Sequence, residues 1–287
     1  MAVATTTATL YSERRRRVGE LRERYRFVRQ VLDFYGALLS VQERAYMEAA
    51  EIRPSAGELV DYVAEMVVPR VVEVTVAAGP DRLRAAVLDD VDGHDPRSIV
   101  GTWVRSGEQT EVERYLARAA LTPVLEAAGP DLRSVCTGPR DGFHCPDCGG
   151  PPQVSFFERS PDDLATGPRY LLCARCGRTW GYARMRCAAC GVDAGAKLNI
   201  FSEHGTTSGE RGSVVRGLAG PNAARSDAVF PHMRVEACES CRRYLLSVDL
   251  ATDFLAVPTV DEMAAIPLDL FARERGYAKI TPNLVGF

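Results

Sequence analysis

His144-Cys145-Pro146-Asp147-Cys148-Gly149-Gly150, then Cys173-Ala174-Arg175-Cys176-Gly177 and Cys187-Ala188-Ala189-Cys190-Gly191, place three Cys-x-x-Cys pairs in close succession. A fourth pair, Cys238-Glu239-Ser240-Cys241, follows. Two cysteines three positions apart bracket one tight turn, so both sulfurs can bind the same ion. Two such turns complete a tetrahedron of thiolates, which serves structural zinc and mononuclear iron equally well. Eight cysteines therefore indicate two metal ions, with Cys145, Cys148, Cys173, Cys176, Cys187, Cys190, Cys238 and Cys241 as ligands. Spacing does not separate iron from zinc.

Between the pairs lie 24 residues (149–172), 10 (177–186) and 47 (191–237). The short middle span makes sequential pairing simplest: the first pair with the second, the third with the fourth. Joining first with third and second with fourth is the alternative. Glycine follows the second cysteine at Gly149, Gly177 and Gly191, where the turn asks for a positive φ, and Arg242 takes that place in the fourth pair. Cys136 stands alone in a turn-rich run and is read as an inert thiol. With eight thiolates at hand, His144, His204 and His232 are read as ordinary polar residues. A catalytic metal needs an open position and a nearby acid or base. Four thiolates per ion leave none, and no Ser/His/Asp set, phosphate loop or acid pair stands out, so no catalytic residues are assigned.

Around this half the composition is that of a soluble globular chain. Of 287 residues, 46% are hydrophobic and 25% charged, enough apolar material for a sizeable core. A net charge of -3 offers no global attraction to phosphate backbones. No run is long and apolar enough for a membrane span. Arg14 to Arg17 contain a twin arginine, but the residues after it are too charged for an export signal. A cytoplasmic location is expected.

Residues 1–132 read as a helical domain of five to seven helices. Leu21, Tyr25, Val28, Leu32, Tyr35 and Leu39 step by three or four and fit one face of a helix. Residues 14–29 hold eight Arg against two Glu, read as a solvated face. The stretch 59–76 is broken by Pro69 and reads as two short buried helices. Gly79-Pro80-Asp81 and Asp95-Pro96-Arg97 mark helix boundaries, and a further helical pattern runs from Val112 to Pro123. Residues 133–143 read as a linker.

Beyond it, residues 144–185 form the first four-cysteine unit. Residues 186–287 form the second, with a long loop at 202–230 and a C-terminal helix. Strands are expected at 153–157, 170–173, 179–185, 197–201 and 244–248. Thr259 and Glu262 have the spacing of a capping box, and Pro267 interrupts the closing helical segment. The fold class is α+β: an N-terminal helical bundle followed by two small zinc-ribbon metal-binding units with a C-terminal helix.

The motifs around the first three pairs, residues 144–152, 170–180 and 184–191, resemble the FdhE family of formate dehydrogenase accessory proteins. The resemblance continues through Arg234 to Leu246 and through Glu274 to Leu284, and so spans nearly all of 144–284. It implies a cytoplasmic chaperone-like helper in forming active respiratory formate dehydrogenase, one that binds the catalytic subunit before export. It also implies rubredoxin-like sites made of the eight cysteines, holding iron, with zinc as the substitute. Formate oxidation would belong to the client, and a homodimer is compatible with the role. Two departures from the family pattern are a long Gly-rich loop at 205–230 and the Cys241-Arg242 ending. Two other functions fit the residues. One is a rubredoxin-like electron carrier; the other is a nucleic-acid-binding zinc ribbon using Arg184, Arg186, Arg242 and Arg243, which the mild acidity disfavours.

Overall fold

Leu21, Tyr25, Val28, Leu32, Tyr35 and Leu39 are all buried, as their spacing predicts, but they lie on two helices rather than one. Helix α1 (Thr7–Arg24) ends at Tyr25, which leaves helical geometry at φ -119° and ψ 84°. The Tyr25 hydroxyl donates to the Val229 carbonyl at 2.5 Å, and its ring packs on Phe230 at 4.8 Å. A 3-10 turn (Arg26–Val28) then leads into α2 (Arg29–Ile52). The periodicity survives the break because the 3-10 turn keeps Val28 inward. This computed structural model describes residues 7–91, 93–160, 167–193, 197–203, 205–207 and 228–286.

The Val-rich stretch is nearly continuous. Helix α3 (Leu59–Tyr62) passes through a π-helical turn (Val63–Val67) into α4 (Val68–Ala78). The wide turn lies directly ahead of Pro69, whose missing N–H falls in the first turn of α4, where no intrahelical bond is required. Helix α5 (Asp81–Val91) begins after Gly79-Pro80, and α6 (Pro96–Val104) is capped by the Asp95 carboxylate accepting from the Arg97 N–H at 3.1 Å. Thr110 and Glu113 close a reciprocal capping box on α7 (Glu111–Ala127), which runs through Pro123 rather than ending there. With α8 (Pro130–Arg133), eight α-helices precede the cysteine-rich half among the described residues. This exceeds the expected number through the four-residue pieces α3 and α8.

The strands are β1 (Pro152–Phe157), β2 (Arg169–Cys173), β3 (Thr179–Gly181), β4 (Leu198–Ser202), β5 (Gly205–Thr207), β6 (Met233–Cys238), β7 (Arg243–Asp249) and β8 (Ala278–Lys279). They form one sheet in the order β3-β2-β1-β7-β6-β4-β5, with β8 also on β7. Strand β1 pairs with β7 in parallel, Ser155 opposite Ser247, and this joins the two four-cysteine units. Strands β5, β6 and β8 are not among the expected ones, and the expected 179–185 strand stops at Gly181. Of the 202–230 loop, only 202–203, 205–207 and 228–230 fall within the described residues.

The closing segment forms α9 (Pro258–Ala264) and α10 (Ile266–Glu274), with Pro267 in the first turn of α10. The Thr259 capping box does not form. The helix starts two residues earlier than that box requires, Val257 is its N-cap, and the Glu262 side chain turns inward to Lys279 and Gln153. One apolar cluster runs from α1 through α7, the first cysteine cluster and the sheet to α9 and α10. The helical half and the cysteine-rich half thus share a core.

Candidate metal centres

The structure gathers the eight paired cysteines into two clusters, Cys145/Cys148/Cys173/Cys176 and Cys187/Cys190/Cys238/Cys241, and in each all four sulfurs lie within 4.8 Å of one another. This is the sequential pairing. In the first cluster Cys145 Sγ is 3.7 Å from Cys176 Sγ, and Cys148 Sγ is 3.4 Å from Cys173 Sγ. In the second, Cys187 to Cys241 is 3.8 Å and Cys190 to Cys238 is 3.9 Å. A tetrahedron with metal–sulfur bonds of about 2.3 Å has edges of roughly 3.8 Å, whereas a disulfide needs about 2.05 Å. Each cluster could hold one metal ion, and the distances fit iron and zinc alike.

The turns between paired cysteines are alike. The N–H of the residue after each pair donates to the carbonyl of that pair's first cysteine: Gly149 to Cys145 at 2.9 Å, Gly177 to Cys173 at 3.2 Å, Gly191 to Cys187 at 3.0 Å and Arg242 to Cys238 at 2.9 Å. These residues have φ of +66°, +67°, +69° and +56°. Arg242 therefore adopts the conformation expected of the missing glycine. Contacts elsewhere compensate: its guanidinium lies 4.0 Å over the Tyr277 ring and donates to Glu239 and to the Arg275 carbonyl. Backbone N–H groups of Gly150, Arg175 and Ala189 point at Cys148, Cys173 and Cys187 sulfurs at 3.3–3.4 Å, tempering the thiolate charge. Burial, together with hydrogen bonds to Cys145 and Cys148, pushes the Cys173 thiol well up. A divalent cation reverses that penalty by stabilising the deprotonated ligands.

The two centres differ in surroundings. All four cysteines of the first are buried. The fully buried Arg175 donates to the Cys148 carbonyl at 2.9 Å, to the Thr137 carbonyl at 3.0 Å and to Ser106 at 2.8 Å, and it stacks on Trp103 of α6. On the other flank a Cβ at Gly177 would stand 2.5 Å from the Glu126 carboxylate of α7. In the second centre Cys190 is exposed and Cys241 half-buried. Chelator should therefore strip the second ion well before the first. Metal release from the wild type and from Cys190→Ser, followed with a colorimetric chelator, will assign the phases, the variant losing the fast one; a single phase common to both ions would refute the asymmetry.

Cys136 lies outside both clusters, fully buried, and burial pushes its thiol up to about 11. At pH 8 roughly one in a thousand molecules carries that thiolate. Brief iodoacetamide treatment of the metal-loaded protein should leave Cys136 unmodified by peptide mass spectrometry, and its rapid alkylation would contradict the burial. His144 Nδ1 bonds Asp141 at 2.8 Å, and His204 lies outside the described residues. His232 Nε2 is 2.8 Å from Asp261, with Asp253 nearby. That group already encloses a cation: Arg17 donates to Asp261 at 3.0 Å and to Asp253 at 2.6 Å. Of the arginines beside the knuckles, Arg184 bonds the Gly167 carbonyl, Arg186 bonds the Gly191 carbonyl, and Arg242 is engaged as above.

Several buried polar residues carry no local sequence signal. Arg14 and Arg17 belong to the stretch read as a solvated face, yet both are buried, Arg14 pairing with Glu126 at 2.6 Å. Their partners lie 112 and 244 residues away, beyond the reach of a periodicity argument. Beneath the sheet, Lys279 pairs with Glu262 at 2.7 Å and Asp269 at 3.0 Å, and Tyr244 donates to Asp269 at 2.9 Å. Burial pushes the Glu262 carboxyl up and pulls the nearby Arg118 guanidinium down to about 10.

Residues 144–184 match the FdhE central domain and residues 219–285 the FdhE C-terminal domain. A protein FdhE homolog of Aquifex aeolicus is 24% identical over 204 residues, covering 71% of this chain and 62% of that protein. One from Pseudomonas aeruginosa is 30% identical over 142 residues, 49% of this chain and 38% of the relative. The matched stretches thus span less than two thirds of these relatives' lengths. The crystal structure of the FdhE protein from P. aeruginosa superposes with a TM-score of 0.61 at 22% identity, covering 96% of this chain and 95% of that one. The fold is therefore shared along nearly the whole chain.

Proposed function

We propose, from the premise that this chain belongs to the FdhE family through its central and C-terminal domains, that it is an accessory protein for formation of active formate dehydrogenase, not itself an enzyme. In this reading it binds the catalytic subunit in the cytoplasm before export. The eight paired cysteines hold two ions, iron or alternatively zinc, that keep the docking surface rigid. The observation that carries the reading is the pair of four-sulfur clusters, six of whose eight cysteines fall within the family's matched domains while Cys187 and Cys190 lie between them. Four thiolates saturate each ion, leaving the metal no position for substrate. No helix among the described residues is long and apolar enough to cross a membrane. The boundaries 1–132, 133–143, 144–185 and 186–287 are the proposed division into helical domain, linker and two metal units.

The test is a pull-down of the formate dehydrogenase catalytic subunit by the wild-type chain and by Cys145→Ser, with metal content measured on both. Recovery of the subunit with the wild type and its loss with the variant is expected; failure of the metal-loaded wild type to retain it would count decisively against the reading. A second function, electron transfer, is favoured by one observation: the exposed Cys190 brings the second cluster to the surface. It requires reversible visible iron–thiolate absorption, and a zinc-only protein would exclude it.

A further inference from the structure

Away from both sulfur clusters, a cavity of about 300 Å³ opens between α5, α7 and residues 282–286. That volume is at the lower end of small-molecule sites, about 300–1,000 Å³. Its wall is largely apolar, with Leu83, Val112, Tyr115 and Leu284 among the lining residues, and its charged groups are Arg82, Arg114 and Arg118 against the single carboxylate of Glu111. Arg114, Tyr115 and Arg118 share one face of α7, because positions three and four apart lie above one another on a helix.

Arg118 lacks the carboxylate partner that the buried Arg14, Arg17 and Arg169 each hold, and unlike the also buried Arg175, which is engaged by two carbonyls and Ser106 beside the first cluster, it lines this cavity. Arg118, 5% exposed, donates only to the Pro282 carbonyl and the Gln153 amide oxygen, and its Nε has no partner. The nearby Glu262 is committed to Lys279 and Gln153. Arg114 reaches the Gln109 carbonyl at 3.0 Å and makes no ion pair among the described residues. A buried, charged donor left unmatched is costly. A planar guanidinium matches a carboxylate by parallel hydrogen bonds.

We propose that this cavity binds a small organic carboxylate, its carboxyl group held by Arg118 and Arg114 and its apolar body lying against Leu83, Val112 and Tyr115. An inorganic anion would satisfy the arginines but leave the apolar wall in water, so a ligand with a hydrocarbon body fits better. The site stands independently of the maturation role, and neither result decides the other.

Calorimetric titration of the full metal-loaded chain tests it, with hexanoate and benzoate as probes, hexanamide and benzamide as neutral isosteres, and inorganic phosphate as the third arm. Saturable one-to-one binding of a carboxylate is expected, with the amides at least about tenfold weaker, since a charge-assisted hydrogen bond commonly contributes that much. Arg114→Gln at the rim should weaken binding by about tenfold, and Leu83→Trp should abolish it by filling the cavity. These variants spare the buried Arg118, and circular dichroism checks that each is folded. Amides binding as tightly as carboxylates, phosphate binding more tightly than either, carboxylate binding unchanged in Arg114→Gln, or no carboxylate binding to the folded wild type would each overturn the proposal.

Discussion

Cys173→Ser is expected to cost the chain its folded state, while Cys238→Ser costs mainly the second centre. Cys173 ends β2, faces Cys148 across 3.4 Å and borders a small cavity of about 60 Å³ lined also by Arg14, Gln42, Arg118 and Glu126. All four sulfurs of its cluster belong to the apolar core shared with α1, α2 and α7. Structural thiolate zinc contributes on the order of 10 kcal/mol of apparent binding energy, comparable with the whole stability of a typical domain, about 5–15 kcal/mol. Serine is a poor replacement ligand, and its hydroxyl would be left in a dry pocket. Cys187 and Cys238, by contrast, pack in a separate small group around Leu198. Circular dichroism melts read with metal content will compare the variants. A Cys173→Ser protein melting within a few degrees of the wild type would show that the first cluster does not hold a structural ion.

The second large effect is expected one turn along α1 from Arg14. Arg17 is 3% exposed and clamps Asp261, itself 1% exposed, together with Asp253. Arg17→Met keeps the apolar stem and removes the charge, leaving the buried Asp261 and the half-buried Asp253 without this cation. Breaking a buried pair from one side costs about 3–5 kcal/mol, because the remaining charge stays desolvated. Asp261→Asn should be damaging for the mirror reason, and the double variant should recover part of the loss. Urea unfolding of the four proteins gives the coupling energy directly. Single variants within about 1 kcal/mol of the wild type would mean that water, rather than Arg17, solvates these carboxylates.

Local patterns in the sequence anticipate what local forces determine. Helical spacing marks the buried faces of α1 and α2, the helix start at Asp95 follows from a side chain adjacent to the backbone it serves, and the cysteine spacing yields both clusters. What escapes is set by distant partners. Tyr25 breaks a helix because Val229 and Phe230 receive it. Strand β6 is buried on both faces over Val235–Cys238, so it lacks the alternation that would mark a half-buried strand. Strand β8 has two residues and exists through its pairing with β7. Glu262 has the right spacing to cap a helix, but Lys279 and Gln153 offer its carboxylate partners in the core.

The clamp between α1 and α9 also has a consequence in time. Arg17 and Asp261 are 244 residues apart. At synthesis rates of about 5–20 residues per second, α1 exists for roughly 10–50 s before the carboxylate that neutralises it has been made. The first cluster's cysteines emerge well inside that interval, so metal can be captured before the N-terminal helix finds its final seat. During translation the nascent helix carries Arg17 without its buried partner Asp261, and closure of α1 onto α9 is a late step of folding.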